Sequence, residues 1–355
     1  MLEFQTLVDR IYSSLKRSSP NAATLDKIEK ALVNKEKSII PFSFPLGIQF
    51  EITSSCNLKC RHCYNDSLPG KGNDDLTEAE WLRTAEKVTE KGALAITISG
   101  GEPLLKASLV RKMLAIFEQN PNMNVGIITN GWLVTEDFVD YFREIKNKKW
   151  IQVSIDGAYP KDHDWMRGQK GSWERAVRAA LMFTKASIPV RIAHTCHRGN
   201  FRDLWKMAEL AVLLGASGFI YTPILNAGRA YYDKENLILN NEEFQEFEKI
   251  SEQVEKKYSS YLKLSKGVQF KEYYSKFAIL PAMGSLIRPE GNFKIDCSVP
   301  VVFGNIGKEN FEDIWLQRAC LGWQNSAVID YIEKVEAGCE DSVPYVMDDI
   351  QCVDN

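Results

Sequence analysis

From Gly47 onward the chain alternates short runs of β-branched and aromatic residues with longer amphipathic stretches. That alternation restricts it to folds made of βα units around a parallel sheet. The runs are IQFEIT (48–53), LAITIS (94–99), NVGIIT (124–129), WIQVSI (150–155), VRIAHT (190–195) and FIYTPI (219–224). They start about 25 to 45 residues apart, which leaves room for a right-handed crossover helix each time and is too irregular for a solenoid. Helix starts are marked by Thr77 with Glu80, by Thr135, Ser172 and Asn200, and by Asn240 with Glu243. Six units predict an α/β chain over 47–260: a partial (β/α)6 TIM-like barrel, open rather than closed at eight units, with its chemistry at the carboxyl ends of the strands.

Around this core, residues 1–46 read as an N-terminal extension, with an amphipathic stretch from Leu2 to Leu15 and a helical pattern from Thr24 to Lys35. Residues 261–290 read as a connection, and 291–355 as a small C-terminal module that holds four of the eight cysteines. Lys and Arg number 44 against 47 Asp and Glu, a formal charge of −3, so neither a nucleic acid nor an anionic membrane is an expected partner. No run approaches the roughly 18 apolar residues that span a bilayer, and the first residues carry charge where a signal peptide needs an apolar core. The expected location is the cytoplasm, where thiols stay reduced and clustered cysteines point to metal binding or catalysis.

Such a cluster follows the first strand. In TSSCNLKCRHCYNDS, Cys56, Cys60 and Cys63 form C-x3-C-x2-C. The same spacing would line one face of a buried helix, but Thr53, Ser54, Ser55 and Asn57 make the flanks polar and loop-like. A closed zinc site needs a fourth ligand, for which His62 is badly placed. Three soft thiolates with one position left over suit a cubane iron–sulfur cluster whose fourth iron is open to a small molecule. The second strand runs into Ser99-Gly100-Gly101-Glu102-Pro103, where the glycines allow a sharp turn and close approach to a ligand. The third ends in Thr129-Asn130-Gly131 and the fourth in Ser154-Ile155-Asp156-Gly157, polar groups where an adenosine would need hydrogen-bond partners.

These residues resemble the radical S-adenosylmethionine (SAM) superfamily, whose C-x3-C-x-φ-C motif has an aromatic residue at φ, here His62. The resemblance implies that Cys56, Cys60 and Cys63 hold a [4Fe-4S] cluster. In that family the unique iron is chelated by SAM, which is cleaved to methionine and a 5′-deoxyadenosyl radical. It assigns Gly100, Gly101 and Glu102 to the amino group of SAM, and Asn130, Ser154 and Asp156 to its ribose and carboxylate. HDWMRGQKGSWERA and NAGRA resemble the peptide-modifying branch, which makes Arg167 a candidate SAM contact and Arg229 a candidate contact to SAM or substrate. His194 and Cys196, with His197, close the fifth strand and are candidate proton or hydrogen-atom donors in the barrel mouth; HxCH also resembles a metal pair, and the remaining reading is an ordinary strand-end histidine.

GNFKIDCSVPVVFGNIGKENFEDIW, residues 291–315, resembles the opening of a SPASM/twitch-type auxiliary-cluster module. The remaining cysteines there, Cys297, Cys320, Cys339 and Cys352, are too few for two further clusters; they make one auxiliary cluster or are core cysteines. The resemblance implies hydrogen abstraction from a ribosomally made peptide, leading to a crosslink, an epimerisation or an oxidation, with a flavodoxin- or ferredoxin-type reductant as partner. The alternatives are a dehydrogenase or epimerase acting on a small molecule, such as a sugar or cofactor precursor, and a non-catalytic zinc scaffold.

Overall fold

The computed structural model describes residues 43–72, 75–224, 226–267, 282, 284–336 and 350–351. The helical patterns expected within residues 1–35 lie outside them. All six expected strands form: β1 (Gly47–Glu51), β2 (Ala95–Ser99), β3 (Asn124–Thr129), β4 (Lys148–Ser154), β5 (Val190–Cys196) and β6 (Gly218–Pro223). Each pairs in parallel with the next. A seventh parallel strand, β7 (Lys263–Lys266), follows β6 inside the stretch read as a connection. Its sequence, KLSK, has too little apolar character to announce a strand.

On the other edge, β8 (Leu286–Ile287) runs parallel to β1. β9 (Asn292–Lys294) is antiparallel to β8, and of the next two strands, β10 (Val301–Val302) and β11 (Gly304–Asn305), β11 is antiparallel to β9. The sheet therefore has ten strands in the order β11-β9-β8-β1-β2-β3-β4-β5-β6-β7, and the C-terminal module shares it with the barrel. β10 pairs with β12 (Ile350–Gln351) apart from it. No pairing joins β7 back to the opposite edge among the described residues, so the barrel is open.

Alternation along the strands sorts the chain into two faces. Ile48, Phe50, Ile96, Ile98, Val125, Ile127, Ile151, Val153 and Ile192 are buried under the helices. Phe50 meets Trp81 and Phe117 with ring centroids at 5.8 and 6.0 Å, and each such side chain contributes about 1.5–3 kcal/mol. The intervening residues, on the inner face, are mostly half-buried and mix polar groups, Gln49, Thr97, Gln152 and Thr195, with apolar ones such as Ile128, Ala193 and Ile220. Partway down that face Gly126 lies in register with Trp150. A Cβ at 126 would come 2.1 Å from the indole, so only glycine lets the ring lie flat on β3.

Three helix starts have the side-chain caps their sequence suggests. Thr77 with Glu80 and Asn240 with Glu243 form reciprocal capping boxes, and Thr135 accepts from Phe138 N at 3.2 Å. Two differ. Ser172 is the first helical residue, and the cap comes from Asp164, which accepts from Gly171 N, Trp173 N and Ser172 Oγ at 2.7–2.8 Å. Asn200 turns inward, accepting from His197 N and donating to the carbonyls of Asp156 and Thr195, and a 3-10 turn precedes the helix Leu204–Leu213. No described helix is long and apolar enough to cross a membrane.

Candidate active site

The three cysteines sit on the loop that leaves the carboxyl end of β1. Cys56 and Cys60 are buried and Cys63 is half-buried. The loop is clamped from both sides by backbone. Gly101 N donates to Thr53 O at 2.6 Å and Glu102 N to Ser55 O at 3.0 Å. A Cβ on Gly100 would stand 2.5 Å from Thr53 O, and one on Gly101 2.1 Å from Ser55 O. The close approach these glycines permit is thus to the cysteine loop itself. Opposite, Arg61 N donates to Met166 O at 2.8 Å and Lys59 N to Arg167 O at 3.3 Å, at the end of the helix Pro160–Arg167. Arg229 braces the loop from a third direction, with Nε on Cys60 O at 2.7 Å and Nη1 on Asp66 Oδ1 at 2.8 Å.

Each sulfur has donors aimed at it. Leu58 N approaches Cys56 Sγ at 3.4 Å and Asn130 Nδ2 does so at 3.8 Å; Ser67 N is 3.4 Å from Cys63 Sγ, and Arg167 Nη1 is 3.7 Å from Cys60 Sγ. Burial pushes the Cys56 thiol up to about 12 and moves Cys60 in the same direction. Thiols so buried ionise by coordinating a metal, and the N–H groups then stabilise the charge on sulfur. No three His, Cys, Asp or Glu side chains converge on a single ion among the described residues. An iron–sulfur cube binds each cysteine to a separate iron and so takes ligands that are spread apart. The donor set fits such a cluster.

Polar residues at the neighbouring strand ends interlock. Glu102 is fully buried, with Oε1 accepting from Leu104 N and Thr129 Oγ1 and Oε2 from Asn130 N. Burial raises its carboxyl to about 7 against those donors. Asn130 also donates to Asn57 Oδ1 at 3.0 Å, which ties β3 to the cysteine loop. Ser154 ends β4 half-buried on the inner face.

Asp156, also fully buried, pairs with Arg167 Nη2 at 2.7 Å and lies 3.5 Å from His62 Nε2. Its other oxygen accepts from Thr195 N at 2.9 Å. Burial alone would raise this carboxyl, but Arg167 and then His62 hold it well below the usual carboxylate range. The same pairing, with Cys60, raises Arg167 against its own burial. Cys60, Arg167, Asp156 and His62 therefore form one continuous polar chain around the Arg167–Asp156 ion pair.

All four histidines of the protein gather around Asp156. His163, which opens the HDWMRGQKGSWERA stretch but has no role assigned from the sequence, accepts from Asp156 N at 3.0 Å through Nδ1. Its only sequence signal is its place one helical turn before Arg167. Burial lowers His62 to about 4, His163 to about 3 and His197 to about 4, and lowers His194 too. His194 is packed on Phe219 with Nδ1 3.2 Å from Ile155 O, and Cys196 is completely buried in the main apolar core. Both lie on the helix-facing side of β5 rather than in the barrel mouth.

Cys297 lies against Asp296 and Glu51, while Cys320 donates to Leu316 O at 3.4 Å. Cys339 and Cys352 lie outside the described residues. A network the sequence did not announce stands beside Cys297: buried Glu51 accepts from Tyr64 Oη at 2.6 Å and Arg288 Nη1 at 2.9 Å, joining the cysteine loop to the C-terminal module.

An open parallel barrel with a three-thiol loop at its carboxyl end is the architecture of a radical enzyme's cofactor domain. Residues 50–211 match the family model described as the Radical SAM superfamily, and the chain carries a radical SAM domain. The AdoMet-dependent heme synthase of Methanosarcina barkeri is 32% identical over 185 residues, 52% of this chain and 52% of that protein. The PqqA peptide cyclase of Rhizobium meliloti is 26% identical over 283 residues, 77% of this chain and 74% of the cyclase. The match thus spans about half the length of the heme synthase and about three-quarters of the cyclase. Among solved structures, SuiB from Streptococcus suis bound to S-adenosylmethionine superposes with a TM-score of 0.65 at 16% identity, covering 85% of this chain and 72% of SuiB, a likeness of fold. Enzymes of this superfamily use a [4Fe-4S] cluster and SAM.

Proposed function

We propose that this chain is a radical SAM enzyme that modifies a ribosomally made peptide. The observation that carries the reading is the cysteine loop: three thiols, each with a hydrogen-bond donor at sulfur, on a segment locked by Gly100, Gly101 and Arg229. Cys56, Cys60 and Cys63 would hold the cluster, which with SAM supplies a 5′-deoxyadenosyl radical for abstraction of an unactivated hydrogen. The chain's own residues do the rest. Arg167 places positive charge beside Cys60, and Asp156 fixes that guanidinium. Glu102 and Asn130 hold the ends of β2 and β3 against the loop. The inner-face polar residues, Gln152, Ser154 and Thr195, offer hydrogen bonds to a guest.

Similarity to a peptide cyclase over 77% of the chain supports a peptide substrate. Similarity to a heme synthase supports the second reading, a small-molecule substrate. Oxygen-free reconstitution followed by iron and sulfide analysis tests the site. About four irons per chain, or about eight with an auxiliary cluster, are expected, together with release of 5′-deoxyadenosine under strong reductant. A C56A/C60A/C63A variant should lose the first cluster and all SAM cleavage. A colourless protein that leaves SAM intact would end the proposal, and turnover without any peptide would favour the small-molecule reading.

A further inference from the structure

The opposite end of the barrel, at the amino ends of β3 to β7, holds a cavity of about 440 Å³. That is the size range of small-molecule sites. Its walls include Lys148, Trp150, Arg191 and Lys263, with Asn124 and Ser265 between them. The Arg191 guanidinium stacks on the Trp150 indole at 4.2 Å from the ring centroid, and the indole is seated on Gly126. This three-layer stack fixes the plane of the guanidinium and leaves its edge for a ligand. Among the described residues no carboxylate lies within ion-pair distance of Lys148, Arg191 or Lys263, and burial alone accounts for the lowered pKa of Arg191. Lys149 also borders the cavity, but its ammonium is bonded to the carbonyls of Arg143 and Ile145.

The chain is net negative, and several buried or half-buried cations elsewhere pair with acids: Arg167 with Asp156, Arg229 with Asp66, Arg288 with Glu51 and Lys266 with Glu248. Lys148, Arg191 and Lys263 instead face one cavity with no acid among its lining residues. We propose that this cavity is a binding site for a small organic polyanion, with the Arg191 fork taking one carboxylate or phosphate group and Lys148 and Lys263 neutralising the others. Nothing in the proposal requires the cluster or SAM, so it stands or falls separately from the radical chemistry.

Calorimetric titration of the full reconstituted chain with tricarballylate and with 2,3-bisphosphoglycerate tests it and separates carboxylate from phosphate sources. Binding of at least one probe is expected, weakening as salt is raised. Arg191→Gln should cost about tenfold or more in affinity, the loss expected for charge-assisted hydrogen bonds. Lys148→Gln/Lys263→Gln changes only exposed side chains and should weaken binding severalfold with an unchanged melting temperature, so it decides the matter should Arg191→Gln disturb the fold. Equal affinity in wild type and both variants, equal binding of the neutral tricarballylic triamide, or no binding of either anion at millimolar concentration would overturn the proposal.

Discussion

At the carboxyl ends of the strands, Asp156, Arg167, Glu102 and Asn130 are buried and bonded across four elements. At the amino ends, Lys148, Arg191 and Lys263 face a cavity with no acid among its described lining residues. Both ends are polar, and the contrast lies in where the partners come from. At the first end the protein supplies every counter-charge, so the geometry exists before any ligand arrives and each residue depends on its neighbours. At the second none of the described residues supplies a counter-charge, so on the proposal above these residues are nearly independent of one another and matter mainly when an anion binds.

This contrast can be broken by substitution. The largest effect is expected for Asp156→Asn, which strands the buried Arg167 charge and should cost about 3–5 kcal/mol. Urea unfolding measures it, and a cost below about 1 kcal/mol would show that the carboxyl end is not preorganised. Acid should act next. His197 titrates at about 4 in the fold and at about 6.5 unfolded. The unfolded chain therefore binds the extra proton between those values, and its contribution to stability is present above pH 6.5 and lost as pH falls through 4. Between pH 7 and pH 5 this one histidine should account for about 2 kcal/mol. His197→Gln should flatten the pH dependence by that amount; an unaltered slope would remove His197 from the network. The smallest effect belongs to the amino end, where Lys148→Gln/Lys263→Gln should change unfolding free energy by no more than about 0.5 kcal/mol.

The parts legible in the sequence are those whose signal is local. Six strands follow from alternation within six or so residues, and the cysteine loop from spacing within eight. Thr77 and Asn240 cap because the partner lies three residues on. What the sequence hides depends on partners far along the chain: Arg229 on Cys60 O, Arg288 on Glu51 and Asn130 on Asn57 span 73 to 237 residues. β8 has only two residues, and β7 reads as polar linker, so both take their strand character from the neighbour they pair with. Cys196 misled in the other direction. It ends a strand, but the two-residue period puts it on the helix side, in the apolar core.

The indole of Trp150, seated on Gly126 and covered by Arg191, has a bearing on the other chamber too. It forms a shelf across β3, β4 and β5, and only Gln152 and Ser154 of β4's inward positions stand above it. A guest admitted from the cysteine side therefore meets a depth stop after about 13 Å of strand. On the function proposed above, that depth would suit an extended side chain or a short loop, with the remainder of a longer substrate left outside.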